Sequence, residues 1–525
     1  MPAWFGNLNM PSDHPSFLCF VTDQMRGDHI GCAGNPVIRT PNLDRIASSG
    51  VRFTRAYVNN PLCMPSRATL FTGLTPRGHG VRTNGIPLDR RFPTIVGALA
   101  DAGYRTHSIG KLHLLPFSTP RGVDPGTLDP TDWAESYHFW NNGILETMPA
   151  PYFGLQTVEI TVGHGPGTTG DYRRWLRERN PAAEALWRPE AGTPTPHHAE
   201  QAWHCAIPEE LHYNTWVADR AIEFLEQHPR NTPFFLWCSF PDPHHPYCPP
   251  EPWASMYDPA DVPMPMRCEG ELGTLPPFYG EAYEKSARLS GRMHPTKMSD
   301  EQLREIIALT YGMISHVDYN IGRVLDALER CGLRENTVVC FLSDHGDMMG
   351  DHWMMNKGPF HMEGLLRMPF IWSCPGRFAQ GAATDALVSY LDFAPTILEL
   401  AGVPIPEGFV PAEPEAEKQL PPWPGVSFAP HLRRETCPRQ DSVVVENDED
   451  YLGLRLRTLV TERYKITAYP GQPYGELFDL QDDPGELHNL WQDPRSQGLK
   501  KDLLIRLMER LVETDSRLPR RVSHA

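Results

Sequence analysis

Three short apolar runs in this chain, and a fourth strand-like run of mixed polarity, each break off into a cluster of polar and charged side chains. That repeated ending restricts the fold more than any other feature. Phe17-Leu18-Cys19-Phe20-Val21-Thr22 stops at Asp23-Gln24, and Tyr104 to Ile109 runs into Gly110-Lys111-Leu112-His113. Phe234 to Phe240 ends in Pro241-Asp242-Pro243-His244-His245-Pro246, and Thr337 to Ser343 ends in Asp344-His345-Gly346-Asp347. Apolar runs of this length read as strands buried on both faces, the pattern of a parallel sheet covered by helices. Helices are legible between them. Thr40-Pro41 opens one that Gly50 stops, Thr94 to Ala102 is closed by Gly103, and Tyr213 to Gln227 is amphipathic. Ser299-Asp300-Glu301-Gln302 is a capping box at the start of a long helix to Arg330, and Asp392 to Leu400 is followed by Gly402. Open α/β sheets build their sites at strand carboxyl ends, so the polar clusters are candidates for one site.

A second feature points the same way. In Pro61-Leu62-Cys63-Met64-Pro65-Ser66-Arg67-Ala68-Thr69-Leu70-Phe71-Thr72-Gly73 a proline suits the first turn of a helix that ends near Gly73. Cys63 then sits at or just before a helix N-terminus, where free N–H groups favour an anion. Arg67 comes one turn later and can reach back to the same spot. Further along, Asn84-Gly85 favours a tight turn, with an amide at Asn84 available to a bound anion.

The chain has 525 residues, enough for a large core and two domains. Residues 1–403 read as the main α/β domain, with irregular insertions at about 114–205 and 248–298 to which no internal structure is assigned. Residues 404–440 are rich in Pro and Glu and read as a linker or long loop. Residues 441–525 carry four short strands and a final helix, Leu499 to Val512, and read as a small antiparallel α+β unit. The net charge of −17 argues against a nucleic-acid binder that relies on a broad basic surface. The first residues lack the pattern of a signal peptide, and no apolar run is long enough to span a bilayer, so no membrane partner is expected. Eleven scattered cysteines without a C-x-x-C pair suit a reduced, cytoplasmic setting.

C-x-P-S-R followed by T-G resembles the signature of the type I sulfatases, the formylglycine-dependent branch of the alkaline phosphatase superfamily. D-Q-x-R-x-D-x-x-G-C-x-G-N with T-P-N-L-D-R, G-K-x-H at Lys111 and His113, and P-H-x-P at His244 are similar to other blocks of that family. The stretch Glu476-Leu477-Phe478-Asp479-Leu480 with Asp483-Pro484-Gly485-Glu486 resembles its closing motif. The resemblance implies that Cys63 is oxidised to formylglycine by a formylglycine-generating enzyme. It also implies one divalent cation, held by Asp23, Gln24, residue 63, Asp344 and His345. Carboxylates suit Ca²⁺, and the imidazole admits Mn²⁺. The hydrated aldehyde would attack sulfur in line, with Lys111 and Lys357 meeting the sulfuryl charge and Arg67 holding the diol. His244 or Lys357 would protonate the leaving alcohol, and His113 would deprotonate the second hydroxyl to release sulfate.

Asp23-Gln24 and Asp344-His345 depart from the Asp-Asp and Asp-Asn of many sulfatases and are shared with a branch resembling phosphonate monoester hydrolases. Three readings follow. One is a sulfatase acting on aryl or alkyl sulfate monoesters. Another is a phosphonate monoester hydrolase or phosphodiesterase using the same site. The third is a metal-binding protein without turnover, if Cys63 is never oxidised. Lys111-x-His113 favours the first, since the phosphonate hydrolases carry uncharged residues there. A homo-oligomer stays open.

Overall fold

The computed structural model describes residues 14–515 apart from 286–287, 290–291, 294–296, 405–422, 436–439 and 451. Its centre is a nine-stranded sheet. The strands are β1 (Ser16–Thr22), β2 (Val51–Phe53), β3 (Arg105–Gly110), β4 (Thr157–Val162), β5 (Thr169–Gly170), β6 (Phe234–Ser239), β7 (Thr337–Ser343), β8 (Phe370–Ser373) and β9 (Ala382–Thr384). They lie in the order β9-β2-β8-β7-β1-β6-β3-β4-β5. The central strands β7, β1, β6, β3 and β4 are all parallel, while β8 runs antiparallel to both its neighbours.

The apolar runs become central strands because both of their faces are covered. In β1, Phe17, Cys19 and Val21 belong to one core layer and Leu18 and Phe20 to the other. The first layer is roofed by helices α2 (Cys63–Thr72), α3 (Ile95–Asp101) and α6 (Phe393–Ala401), the second by α1 (Pro41–Ser48), α4 (Tyr213–Gln227) and α5 (Asp300–Arg330). The expected capping box opens α5: Ser299 Oγ accepts from Gln302 N at 3.2 Å, and Gln302 Oε1 accepts from Ser299 N at 3.1 Å. Such a cap contributes about 1 kcal/mol.

The register aligns the strand ends. Thr22 pairs with Ser343, Val21 with Ser239, and Ser239 with Gly110, so Asp23, Lys111 and Asp344 leave the sheet at one level. Gly110 is required there. Its φ is +92°, and a Cβ would lie 1.9 Å from the Ser239 carbonyl oxygen.

The insertion at 114–205 is structured, contrary to the expectation. Thr157 to Val162 forms β4, a strand of the main sheet, and Asp171–Arg179 forms a helix. The strand starts exposed and only its last three residues are buried, so it lacks the unbroken apolar run of β1, β6 and β7. Residues 248–298 hold a short helix, Pro277–Lys285. Of the stretch 404–440, Trp423 and Phe428 pack into the main core, and residues 405–422 and 436–439 lie outside the described residues.

Toward the C-terminus, β10 (Ser442–Glu449), β11 (Leu454–Thr461), β12 (Tyr464–Ala468) and β13 (Gly475–Asp479) form an antiparallel meander. One face packs on Leu503 and Leu507 of α7 (Gln497–Glu513). The other, through Leu456, Tyr469 and Phe478, packs on Met354, Phe360 and Leu365 of the main domain.

Candidate active site

Cys63 begins α2 and is 2% exposed. Its Sγ lies 3.0 Å from Lys357 Nζ, 3.1 Å from His345 Nε2 and 3.8 Å from Asp23 Oδ1. Burial and Asp23 push this thiol up, but Lys111, Lys357 and His345 outweigh them and bring it down to about 7. The first turn of α2 is held from outside: Asn84 Oδ1 accepts from Met64 N at 3.0 Å. Ser66 Oγ donates to the Asp344 carbonyl at 2.5 Å, which ties α2 to the end of β7.

Asp344 accepts from Gln24 N at 3.0 Å and His345 N at 2.9 Å on one oxygen, and from Arg67 Nε at 2.8 Å on the other. Arg67 is fully buried, and its Nη1 donates to the Lys111 carbonyl at 2.9 Å and to Ser239 Oγ at 3.0 Å. One arginine thus ties three strand ends and the helix together. Asp23 contacts Lys111 Nζ through Oδ2, and burial of its charge is outweighed by Lys111, His244 and His164, which hold it well below the usual carboxylate range.

Lys357 Nζ also lies 3.0 Å from Gln24 Oε1 and from His345 Nε2. The Gln24 amide nitrogen donates to Asp347 Oδ2 at 2.6 Å, so its oxygen is turned toward Lys357. His244 Nδ1 donates to the His245 carbonyl at 2.6 Å, which leaves Nε2 bare in the neutral ring. His113 stacks on Phe117 with centroids 3.7 Å apart, and its buried Nδ1 has no hydrogen-bond partner. Burial, then Lys111 and Arg67, keep His113 well below the usual imidazole range. Burial, then His164 and His245, do the same to His244. Both rings are therefore neutral bases.

One site residue escaped the sequence reading. His164 follows β4, and its Nε2 lies 2.9 Å from Lys111 Nζ and 3.1 Å from Asp23 Oδ2. Its ring lies flat on His244, with centroids 3.6 Å apart and planes at 4°. The signal was there: Thr157-Val158-Glu159-Ile160-Thr161-Val162 is a β-branched alternation ending in Gly163-His164-Gly165, one more strand that closes on a polar residue.

Ligand atoms of Asp23, Cys63, Asp344 and His345 lie within 4.8 Å of one another, as do those of Asp23, His164 and His244. The first group fits a cation. It joins two carboxylates to an imidazole whose Nδ1 donates to the Gly346 carbonyl at 2.8 Å, so Nε2 is presented as an acceptor. The Lys357 ammonium already rests against this donor set. The second group does not fit, because two parallel rings cannot aim their in-plane lone pairs at one ion.

Comparison with known proteins agrees with this geometry. The family model described as Sulfatase matches residues 15–403. The chain belongs to the sulfatase family. This sulfatase is a sulfuric ester hydrolase of the alkaline phosphatase superfamily. It is similar to an arylsulfatase of Clostridium perfringens, 31% identical over 485 residues that span 91% of this chain and 90% of the relative. A multifunctional alkaline phosphatase superfamily protein of Trinickia caryophylli is 27% identical, spanning 92% and 93%. The phosphonate monoester hydrolase of Agrobacterium radiobacter superposes with a TM-score of 0.79 at 27% identity, covering 96% of this chain and 97% of that one.

Proposed function

We propose that this sulfatase hydrolyses aryl or alkyl sulfate monoesters through a formylglycine made from Cys63 by a formylglycine-generating enzyme. One divalent cation, Ca²⁺ or Mn²⁺, is held by Asp23, Gln24, Asp344, His345 and residue 63. The observation that carries the reading is the charge arrangement around residue 63, with Lys111 and Lys357 converging on it beside two neutral imidazoles. When bound, the cation supplies positive charge that lowers the pKa of a hydroxyl and offsets charge on the transferred group.

The chain's own residues do the rest. Lys111 and Lys357 meet the charge that develops on the sulfuryl oxygens, in a site from which water is largely excluded. The leaving alcohol takes its proton from Lys357 Nζ or from His244, whose Nδ1 is committed to a carbonyl, so that its bare Nε2 must first take up the proton it then hands on. His113 offers an unpartnered nitrogen to take a proton when sulfate is released. Arg67 keeps Asp344 in place and adds positive charge beneath residue 63. A reduced, cytoplasmic setting belongs to the same reading, since the ten described cysteines are all free thiols.

A second reading is favoured by one observation, the superposition on a phosphonate monoester hydrolase. In it the same site cleaves phosphonate monoesters or phosphodiesters. The deciding experiment is a substrate panel on metal-loaded protein co-expressed with the maturing enzyme, with a peptide mass across Cys63 as control. Aryl sulfate is expected to be the faster substrate. Phosphonate esters turned over far faster than any sulfate would establish the second reading.

A further inference from the structure

The insertion that supplies His164 also supplies a buried carboxylate that the chemistry above leaves unused. Glu135 has no exposed surface. Its Oε2 accepts the backbone N–H of His113. Its Oε1 accepts those of Leu114 at 2.8 Å and Leu115 at 3.0 Å, and the Tyr152 hydroxyl at 2.7 Å. Three successive amides converging on one point make an anion-binding nest. Here the anion comes from the chain itself.

The nest lies at a constrained turn of the backbone. His113 has a φ of +57°, in the left-handed region that a residue with a Cβ enters only when its surroundings hold it there. Two bolts hold this turn. Arg67 Nη1 fixes the Lys111 carbonyl at 2.9 Å, and Glu135 fixes the amides of residues 113 to 115. Between them the His113 ring lies flat on Phe117, with its planes at 12°, and its buried Nδ1 stays unbonded. A turn free to relax to negative φ would swing that ring off Phe117.

We propose that Glu135 is a positioning residue for the reaction: it clamps the His113–Leu115 amides and so holds the His113 imidazole in the strained conformation that keeps its free nitrogen in the site. The inference rests on the sulfatase reading, in which His113 handles a proton.

Glu135→Gln tests it, since the amide keeps the shape but sets an NH₂ group against backbone N–H donors. The protein is assayed metal-loaded and with Cys63 converted, on an aryl sulfate. The kcat is expected to fall about 10- to 100-fold, the scale of losing the support behind a site residue, with a much smaller change in KM and unchanged metal content. The loss should vanish in a His113→Ala background and persist in full in a His244→Ala background. Tyr152→Phe removes one donor with less risk to folding, and its smaller loss of kcat should likewise depend on His113. Glu135→Gln at the wild-type rate beside a crippled His113→Ala would overturn the clamp alone, as would a loss that adds fully to that of His113→Ala. His113→Ala at the full rate would overturn the role of His113 and the clamp with it.

Discussion

Removing either carboxylate from the Asp23–Asp344 pair should empty the cation site. Asp23→Ala and Asp344→Ala each lose an anionic ligand that lies within 4.8 Å of the other donors. Elemental analysis should find little bound metal, and aryl sulfate turnover should fall at least about 100-fold. Full activity without metal in either variant would refute the assignment. Lys111→Ala and His113→Ala should each cost roughly 10²–10⁴ in kcat on the same substrate. The flat stack of His164 on His244 gives a sharper test. His244→Ala should slow poor leaving groups more than nitrophenolate, which scarcely needs an acid. His164→Ala should shift the leaving-group dependence in the same direction and add little when His244 is already gone. If His164→Ala slows all leaving groups alike, even with His244 absent, the stack has no part in proton delivery.

Strand ends explain why much of the site was legible. Asp23, His244 and Asp344 each follow an unbroken apolar run, which is visible without knowing its neighbours, while Lys111 follows a mixed run bracketed by Gly103 and Gly110. His164 and Glu135 were hidden because the strand before His164 starts exposed, and Glu135 follows only a short turn, Pro130–Trp133. The C-terminal meander was legible as strands, but its contact with the active site was not, because that depends on packing. It grips the loop after Lys357. Asn447 donates to the Gly358 carbonyl at 3.3 Å, His361 Nδ1 lies 2.6 Å from Thr458 Oγ1, and Glu486 accepts from Glu363 N at 2.7 Å. Lys465, with no exposed side chain, joins Glu486 and Glu363. Lys465→Met should strand the buried Glu486 beside the partly buried Glu363 and cost about 3–5 kcal/mol of stability. Denaturant titration measures that cost, and the companion change Glu486→Leu should restore a good part of it. If Lys465→Met unfolds at the wild-type midpoint, the cluster does not tie the two units together.

Across the whole molecule, acidity acts on groups far from the chemistry. Burial pushes Glu476 up to about 7 against the Tyr279 and Tyr469 hydroxyls. A raised folded-state value means that ionisation opposes the fold. The penalty is absent below the unfolded value of about 4.3, grows from there, and is complete above about 7, on the order of a few kcal/mol. Glu476→Gln should therefore raise the Tm relative to wild type at pH 8 and leave it nearly unchanged at pH 4. Equal shifts at both values would show that Glu476 ionises as freely in the fold as outside it. The burial of Cys63 sets a different kind of limit, one of time. In the proposed conversion of Cys63, the side chain is 2% exposed beneath the strand ends, so the enzyme would have to act before the sheet closes over that residue. His345, on the strand end that closes it, lies 282 residues further along the chain. At about 5–20 residues per second of synthesis, the nascent chain offers its cysteine for about 15 to 55 seconds before that strand end exists.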